Sequence, residues 1–152
     1  MNKHPADASH AFPARQMLRF VAVLGILNLA WEIVQLPLYT LWREGTWARI
    51  GFAIAHCTIG DVLIALICAL AALLLTGWQW PQSLRQTAKF LGSFVALAAS
   101  YTVFSEWLNT SVRVSWSYSD LMPVIPPLGT GVSPLVQWIT LPVLAMYLGA
   151  RK

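Results

Sequence analysis

Four ionisable side chains interrupt stretches of the sequence that are otherwise apolar: Glu32, His56, Asp61 and Glu106. Placing an ionisable group in hydrocarbon costs roughly 2.5 to 3.5 kcal/mol, so each of them needs a partner or a purpose. Carboxylic acids in a partly dry site can act as general acids and bases, because burial shifts their pKa values. If the protein is an enzyme, we therefore expect Glu32, Asp61 and Glu106 to be its catalytic groups.

The same four residues are also a mixed nitrogen and oxygen ligand set of the kind that suits zinc, manganese or iron. His56 would bind the metal together with Glu32, Asp61 and Glu106. The sequence has no H-x-x-x-H, H-E-x-x-H or C-x-x-C spacing, so it does not indicate a particular metal. A divalent metal and metal-free acid–base chemistry both remain open. A nucleophile centred on Cys57 is disfavoured, since a cysteine buried in an apolar helix is usually inert.

Polar residues three or four positions apart recur in three segments, and on a helix such residues form one stripe. The stripes are Asn28, Glu32, Gln35 and Tyr39 in the first segment, Thr102, Glu106 and Asn109 in the third, and Ser133, Gln137 and Thr140 in the fourth. A helical bundle would turn these faces towards one another and enclose a polar pocket. The binding residues that we predict for this pocket are Asn28, Gln35, Tyr39, Asn109, Trp116 and Gln137.

The second segment is less regular around its two ionisable residues. On a regular helix, His56 lies about 140° from Asp61. We therefore expect His56 at or near the rim of the pocket, unless the helix is distorted at Gly60.

Composition indicates which elements position these residues. The chain has 152 residues, of which 57% are hydrophobic and 11% charged, whereas about 25% are charged in a typical soluble domain. A helix that crosses a bilayer needs roughly 20 apolar residues. We therefore predict an all-α fold, an integral membrane four-helix bundle, in which a flexible cytoplasmic tail (1–16) precedes a transmembrane domain (17–152). The predicted helices are 18–41, 51–77, 88–108 and 133–149.

The positive charges predict the orientation of the bundle. An N-terminus in the cytoplasm places seven cationic residues inside and three outside, in agreement with the positive-inside rule. The seven are Lys3, Arg15, Arg19, Arg85, Lys89, Arg151 and Lys152, and the three are Arg43, Arg49 and Arg113. We expect both termini in the cytoplasm and the chain in a membrane of the bacterial inner (plasma) type. The cations are scattered near the ends of apolar runs, which does not indicate a nucleic-acid partner.

The segment from Thr110 to Thr130 is the one long connection, and this orientation places it outside. Its aromatic, proline and glycine residues predict an ordered cap, with Trp116 as an anchor. Pro37 is expected to kink the first helix beyond Glu32, because proline removes a backbone hydrogen bond.

The sequence leaves three functions open. The pocket could bind or chemically alter an amphipathic or lipid-like molecule, with membrane lipids as neighbours. The chain could instead be a small transporter or an ion- or proton-conducting subunit, in which a homo-oligomer supplies the missing half of the path. Finally, the polar residues could only hold a structural or assembly protein together, although amides and hydroxyls would serve that purpose at lower cost.

Overall fold

Four long helices dominate the computed structural model, which describes residues 13–127 and 129–150. They are α1 (Ala14–Gln35), α3 (Trp47–Thr76), α4 (Leu84–Trp107) and α5 (Val132–Ala150), and α2 (Leu41–Glu44) is a single turn between α1 and α3. A two-stranded antiparallel hairpin, β1 (Val124–Ile125) and β2 (Thr130–Gly131), precedes α5. The four long helices are each long and apolar enough to cross a membrane. The fold is compatible with a multi-pass membrane protein.

The end of the first helix differs from the prediction of residue 41, because α1 stops at Gln35. A single 3-10 turn, Leu36–Leu38, follows and contains Pro37, and Tyr39 is extended. Proline has no N–H to continue the helical ladder, so the chain leaves the helix here instead of bending within it. At its other end α1 begins at Ala14, four residues before the predicted start, and most of the predicted tail (residues 1–12) lies outside the described residues.

Local capping fixes the ends of the middle helices. The Thr46 side chain accepts a hydrogen bond from the backbone N–H of Arg49 at the start of α3. Ser83 and Gln86 form a reciprocal capping box at the start of α4. Gly77 ends α3 with φ +112°, a left-handed conformation that favours glycine.

The helices form a closed ring in the order α1, α3, α4, α5, since α1 and α4 each pack against α3 and α5. Helix α1 approaches α3 closely at Gly25, where an added Cβ would lie 2.9 Å from Val62 Cγ2. We call the end of the bundle that carries α2 and the hairpin the polar end. The end that carries the start of α1, the connection between α3 and α4, and the end of α5 is the opposite end.

An aromatic cluster fills the half of the bundle nearer the opposite end. Phe20 makes edge-to-face contacts with Phe90 and Phe94, with ring centroids 5.7 and 5.4 Å apart. Trp80 and Trp138 extend the cluster on either side. The three phenylalanines are fully buried, so their rings form an interlocked apolar core.

The segment between α4 and the hairpin folds back onto the end of α1. The backbone N–H of Thr40 donates to Ser117 O at 3.0 Å, and that of Ser119 donates to Leu38 O at 2.9 Å. The Ser119 hydroxyl donates to Pro37 O at 2.9 Å. The carbonyl groups of Pro37 and Leu38 in the 3-10 turn are therefore satisfied by this segment, which closes the polar end.

Candidate functional site

A buried amide links three helices at the polar end. Gln137 Nε2 on α5 lies 2.9 Å from Asp61 Oδ2 and 3.1 Å from Asn28 Oδ1, and its longest contact is 3.5 Å to Glu32 Oε1. Gln137 and Asn28 are almost completely buried. Because Asp61 and Glu32 contact the same nitrogen atom, these two carboxyl groups lie side by side.

A second chain of hydrogen bonds holds Glu32 from the side of the hairpin. Gln35 Nε2 donates to Glu32 Oε1 at 2.7 Å, and Gln35 Oε1 accepts from the Ser133 hydroxyl at 2.8 Å. The Ser133 oxygen in turn accepts from Trp31 Nε1 at 3.2 Å. Glu32 therefore sits in a defined orientation in which the neutral amides of Gln35 and Gln137 donate to it.

Glu106 on α4 has a different partner, the phenol of Tyr118 from the segment that closes the polar end. Tyr118 donates to Glu106 Oε2 and accepts from the backbone N–H of Gly131 at 2.9 Å. Burial raises the pKa of Tyr118 above its usual value, and the adjacent Glu106 raises it further. The phenol therefore stays protonated and serves as a permanent donor to Glu106.

Position 131 has no room for a side chain, because Tyr118 occupies the adjacent space. A Cβ at this position would lie 3.1 Å from the Tyr118 ring and 3.0 Å from Met122 Sδ. Both distances are tighter than normal contacts between carbon and its neighbours. The hairpin thus fixes where the Tyr118 hydroxyl lies.

A cavity of about 340 Å³ connects these groups. Of the residues that the sequence predicts for the site, its walls contain Glu32, Gln35, Tyr39, His56, Asp61, Glu106, Asn109, Trp116 and Gln137. Asn28 is the exception, because it lies behind Gln137 and supports it through the hydrogen bond described above. The structure thus brings together side chains from four helices and from the closing segment.

Three residues of the cavity wall are also exposed at the protein surface, and they mark its mouth. They are His56 on α3, Tyr101 on α4 and Arg113 just beyond α4. Tyr101 precedes Glu106 by more than one helical turn, so it lies on the flank of the bundle and not at its tip. The cavity therefore opens sideways between α3 and α4.

The hypothesis of a metal site receives no support from this geometry. Within the described ranges, no group of three or more His, Cys, Asp and Glu side chains is placed to hold a metal ion. His56 instead stacks on Phe52, with ring centroids 5.6 Å apart and planes 15° from parallel. The residues that we considered as a ligand set thus border one cavity without forming a coordination shell.

Two buried donors near the cavity complete no hydrogen bond within the described part of the chain. They are Asn28 Nδ2 and Trp116 Nε1. The Trp116 indole lies close to Glu106, but without hydrogen-bond geometry. Trp116 lines the cavity beside the Glu106 carboxyl group, so its indole N–H can donate to Glu106 or to a polar group of a ligand.

Sequence reasoning missed several residues of this site, namely Tyr101 at the mouth, Arg113, Ser133 and Tyr118. Arg113 follows Glu106 by seven residues, which places it on the same helical face, but we counted it only for topology. Ser133 was assigned to a polar stripe and not to the site. Tyr118 could not be distinguished from other aromatic residues of its loop, because its contact with Glu106 depends on how the loop folds.

Comparison of the chain with protein families, curated proteins and solved structures finds no significant match in any of the three. The four long apolar helices are compatible with an integral, multi-pass membrane protein. Any function of the cavity has to be derived from its own residues and shape.

Proposed function

We propose that the polar cavity binds or chemically alters an amphipathic or lipid-like molecule that enters from the outer leaflet. The observation that carries this proposal is the sideways mouth between α3 and α4, formed by His56, Tyr101 and Arg113. A molecule that reaches such a mouth arrives through lipid, whereas its polar group needs the hydrogen-bonding interior. Only an amphipathic molecule suits both environments.

Glu32 and Glu106 are the acid–base groups in this proposal, and Asp61 is their partner. Glu32 faces amide donors, whereas Glu106 faces a phenol. Because their hydrogen-bond partners differ, the two carboxyl groups differ in proton affinity. One is therefore suited to donate a proton and the other to accept one. Gln35, Asn109 and Gln137 would orient the polar group of the ligand. Tyr39 and Trp116 would cover it.

A conducting pathway is the less favoured alternative. A pore needs polar groups along its whole length. The buried residues in the half of the bundle nearer the opposite end are apolar, including Phe20, Phe90, Phe94 and Leu73. The cavity has a floor there, which fits a binding pocket that is reached from one side.

Native mass spectrometry and elemental analysis of the protein purified in mild detergent test the proposal. The wild type should retain a small amphipathic molecule, and Glu32→Gln and Glu106→Gln should lose it, because each carboxylate loses charge while keeping its shape. Glu44→Gln is the matched control, since Glu44 is exposed on α2 at the same end. The elemental analysis shows whether a metal accompanies the ligand.

The unfolding temperature separates this function from a structural role. If the two cavity variants keep every bound species of the wild type and only unfold at lower temperature, the carboxylates serve the fold alone and the proposal fails. If the variants lose the ligand but unfold at nearly the same temperature as the ligand-free wild type, the proposal is supported.

The proposal also includes the orientation, with both termini in the cytoplasm and the polar end facing outwards. Its support is the charge distribution described above, with seven cations on one side and three on the other. A reporter fused after Lys152 should read cytoplasmic, and one inserted at Gly45 should read external. A reporter after Lys152 that reads external would place the cavity in the inner leaflet.

A further inference from the structure

The polar cavity carries opposite charges in its interior and at its mouth. Its interior wall contains the carboxyl groups of Glu32, Asp61 and Glu106, whereas Arg113 lies at the mouth. In the part of the chain that the structure describes, the Arg113 guanidinium group forms no ion pair or side-chain hydrogen bond. A ligand that fills the cavity therefore meets acidic groups inside and an available cation at the entrance.

The carboxyl groups of Glu32 and Asp61 form a close pair in the interior. Both contact Gln137 Nε2, at 3.5 and 2.9 Å respectively. Two negative charges at such a separation repel each other, and the neutral Gln137 amide does not compensate them. A bound cation, or a proton shared between the two groups, relieves the repulsion. The pair is thus suited to a ligand that brings both positive charge and hydrogen atoms to donate.

Aromatic rings form another part of the wall. Tyr39, Tyr101, Trp116 and Trp138 all line the cavity. Tyr39 is held in place by Tyr118, with ring centroids 5.5 Å apart. The faces of tyrosine and tryptophan rings attract organic cations and also pack against the carbon atoms that carry them. The wall therefore suits an ammonium group on a carbon chain.

The acceptors of the interior distinguish between kinds of ammonium group. A primary ammonium group donates three hydrogen bonds, as the lysine side chain does, whereas a quaternary ammonium group has no N–H to donate. Carboxyl groups reach the cavity from three helices, and each can accept a charge-assisted hydrogen bond. The interior therefore favours a primary ammonium group.

We propose that the polar cavity binds the headgroup of a zwitterionic phospholipid with a primary amine, such as phosphatidylethanolamine. Its ammonium group would lie among Glu32, Asp61 and Glu106, and its phosphate group would lie at Arg113. This inference rests on the function proposed above and names the chemical class of its ligand. The sideways mouth lets the headgroup enter while the acyl chains stay in the bilayer, and a cavity of about 340 Å³ is of a size usual for small-molecule sites.

Native mass spectrometry of the full chain tests the ammonium part of the proposal. Phosphatidylethanolamine, phosphatidylcholine and phosphatidylglycerol with identical acyl chains are added in equal amounts. The wild type should retain phosphatidylethanolamine about tenfold more than either other lipid, the factor expected for one charge-assisted hydrogen bond. Asp61→Asn should remove most of that preference. Asp120→Asn is the matched control, since Asp120 is an exposed carboxylate at the same end and outside the cavity wall.

The phosphate part of the proposal is tested by Arg113→Gln. All three lipids carry a phosphate group, so their retention should fall by a similar factor while the preference for phosphatidylethanolamine remains. Arg49→Gln, which removes an exposed cation at the same end outside the cavity wall, should leave retention unchanged. Equal losses in Arg113→Gln and Arg49→Gln would overturn the placement of the phosphate group.

The results also separate this inference from the function on which it rests. If the wild type retains phosphatidylcholine or phosphatidylglycerol as strongly as phosphatidylethanolamine, and Glu32→Gln loses all of them, the cavity binds amphipathic molecules but the choice of a primary amine is wrong. The same holds if the protein co-purifies with an amphipathic molecule that lacks an amine and is lost in Glu32→Gln. If no amphipathic molecule, added or co-purified, depends on Glu32 or Glu106, the inference and the proposed function both fail.

Discussion

The two halves of this bundle are built from different kinds of contact. Near the opposite end, Phe20, Phe90 and Phe94 interlock with no exposed surface. Near the polar end, Glu32, Asp61 and Gln137 hold one another by hydrogen bonds around a cavity. The first half is held by contacts between aromatic rings and the second by hydrogen bonds between polar side chains, although both belong to the same four helices.

This difference indicates that the two halves have different roles. In a membrane, close packing is a main source of helix association, because lipid tails are as apolar as the side chains that they would replace. The aromatic half supplies that packing. The polar half keeps buried polar and ionisable groups that are costly in a membrane, which is typical of a region retained for binding. Changes in the two halves should therefore affect different measurements.

The largest effect on stability should come from the aromatic half. Phe94→Ala removes a fully buried ring that touches Phe20, Phe90 and Trp138. We expect the free energy of unfolding to fall by about 3 kcal/mol, the lower end of the range for buried phenylalanine, because lipid partly solvates the exposed surface. Reversible unfolding in mixed detergent micelles measures it. Phe104→Ala is the matched control, since Phe104 is 53% exposed on the same helix. Equal losses of unfolding free energy in Phe94→Ala and Phe104→Ala would contradict the distinction between the two halves.

A smaller and more local effect is expected where the hairpin supports Glu106. Gly131→Ala should push Tyr118 away, because the new methyl group would lie 3.1 Å from the ring. The displaced phenol is less buried and farther from Glu106, so its raised pKa should fall towards the ordinary value for tyrosine. Ultraviolet absorbance should then detect extra tyrosinate near about pH 10.5.

Gly51→Ala serves as the control for that titration, since its Cβ would meet open space. The stability loss in Gly131→Ala should be about 1 kcal/mol, the usual value of one hydrogen bond. If the tyrosinate titrations of Gly131→Ala and the wild type coincide, Gly131 does not position Tyr118.

The smallest expected effect is a difference in chemical reactivity between the two native cysteines, one of which lies in each half of the bundle. Cys57 borders the polar cavity, whereas Cys68 is buried in the packed core. A small membrane-permeant maleimide should modify Cys57 several times faster than Cys68, because only Cys57 can be reached through the mouth. Mass spectrometry of Cys57→Ser and Cys68→Ser proteins gives the two rates. Faster modification of Cys68 would mean that the open space lies elsewhere.

The sequence predicted the four helices, because long apolar runs are a strong signal. Their starts were placed up to four residues late, since polar first turns such as that of α4 do not count as apolar. The end of α1 was placed too late because Pro37 does not merely kink a helix here but ends it. Periodicity also indicated which faces of the helices meet, and Glu32 and Gln137 do meet.

The remaining features depend on contacts between distant parts of the chain. Helix α4 continues into a π-helical turn, Leu108–Val112, which carries Asn109 towards the cavity. Such turns are rare and have no reliable local sequence signal, although they are frequent at functional sites. The contact between Tyr118 and Glu106 spans a loop whose path is fixed by hydrogen bonds to the end of α1. Local patterns contain no information about those hydrogen bonds.

Photo-cross-linking in the native membrane tests the central claim, that the cavity admits a defined amphipathic molecule through its mouth. A photoreactive phenylalanine derivative replaces Tyr101, which lines the cavity, or Phe104, three residues further along α4 and absent from the cavity wall. The account predicts that position 101 captures one predominant small amphipathic molecule, and that position 104 captures bulk phospholipids in proportion to their abundance. If position 101 captures the same mixture as position 104, the cavity holds no ligand of its own and the proposed function is wrong.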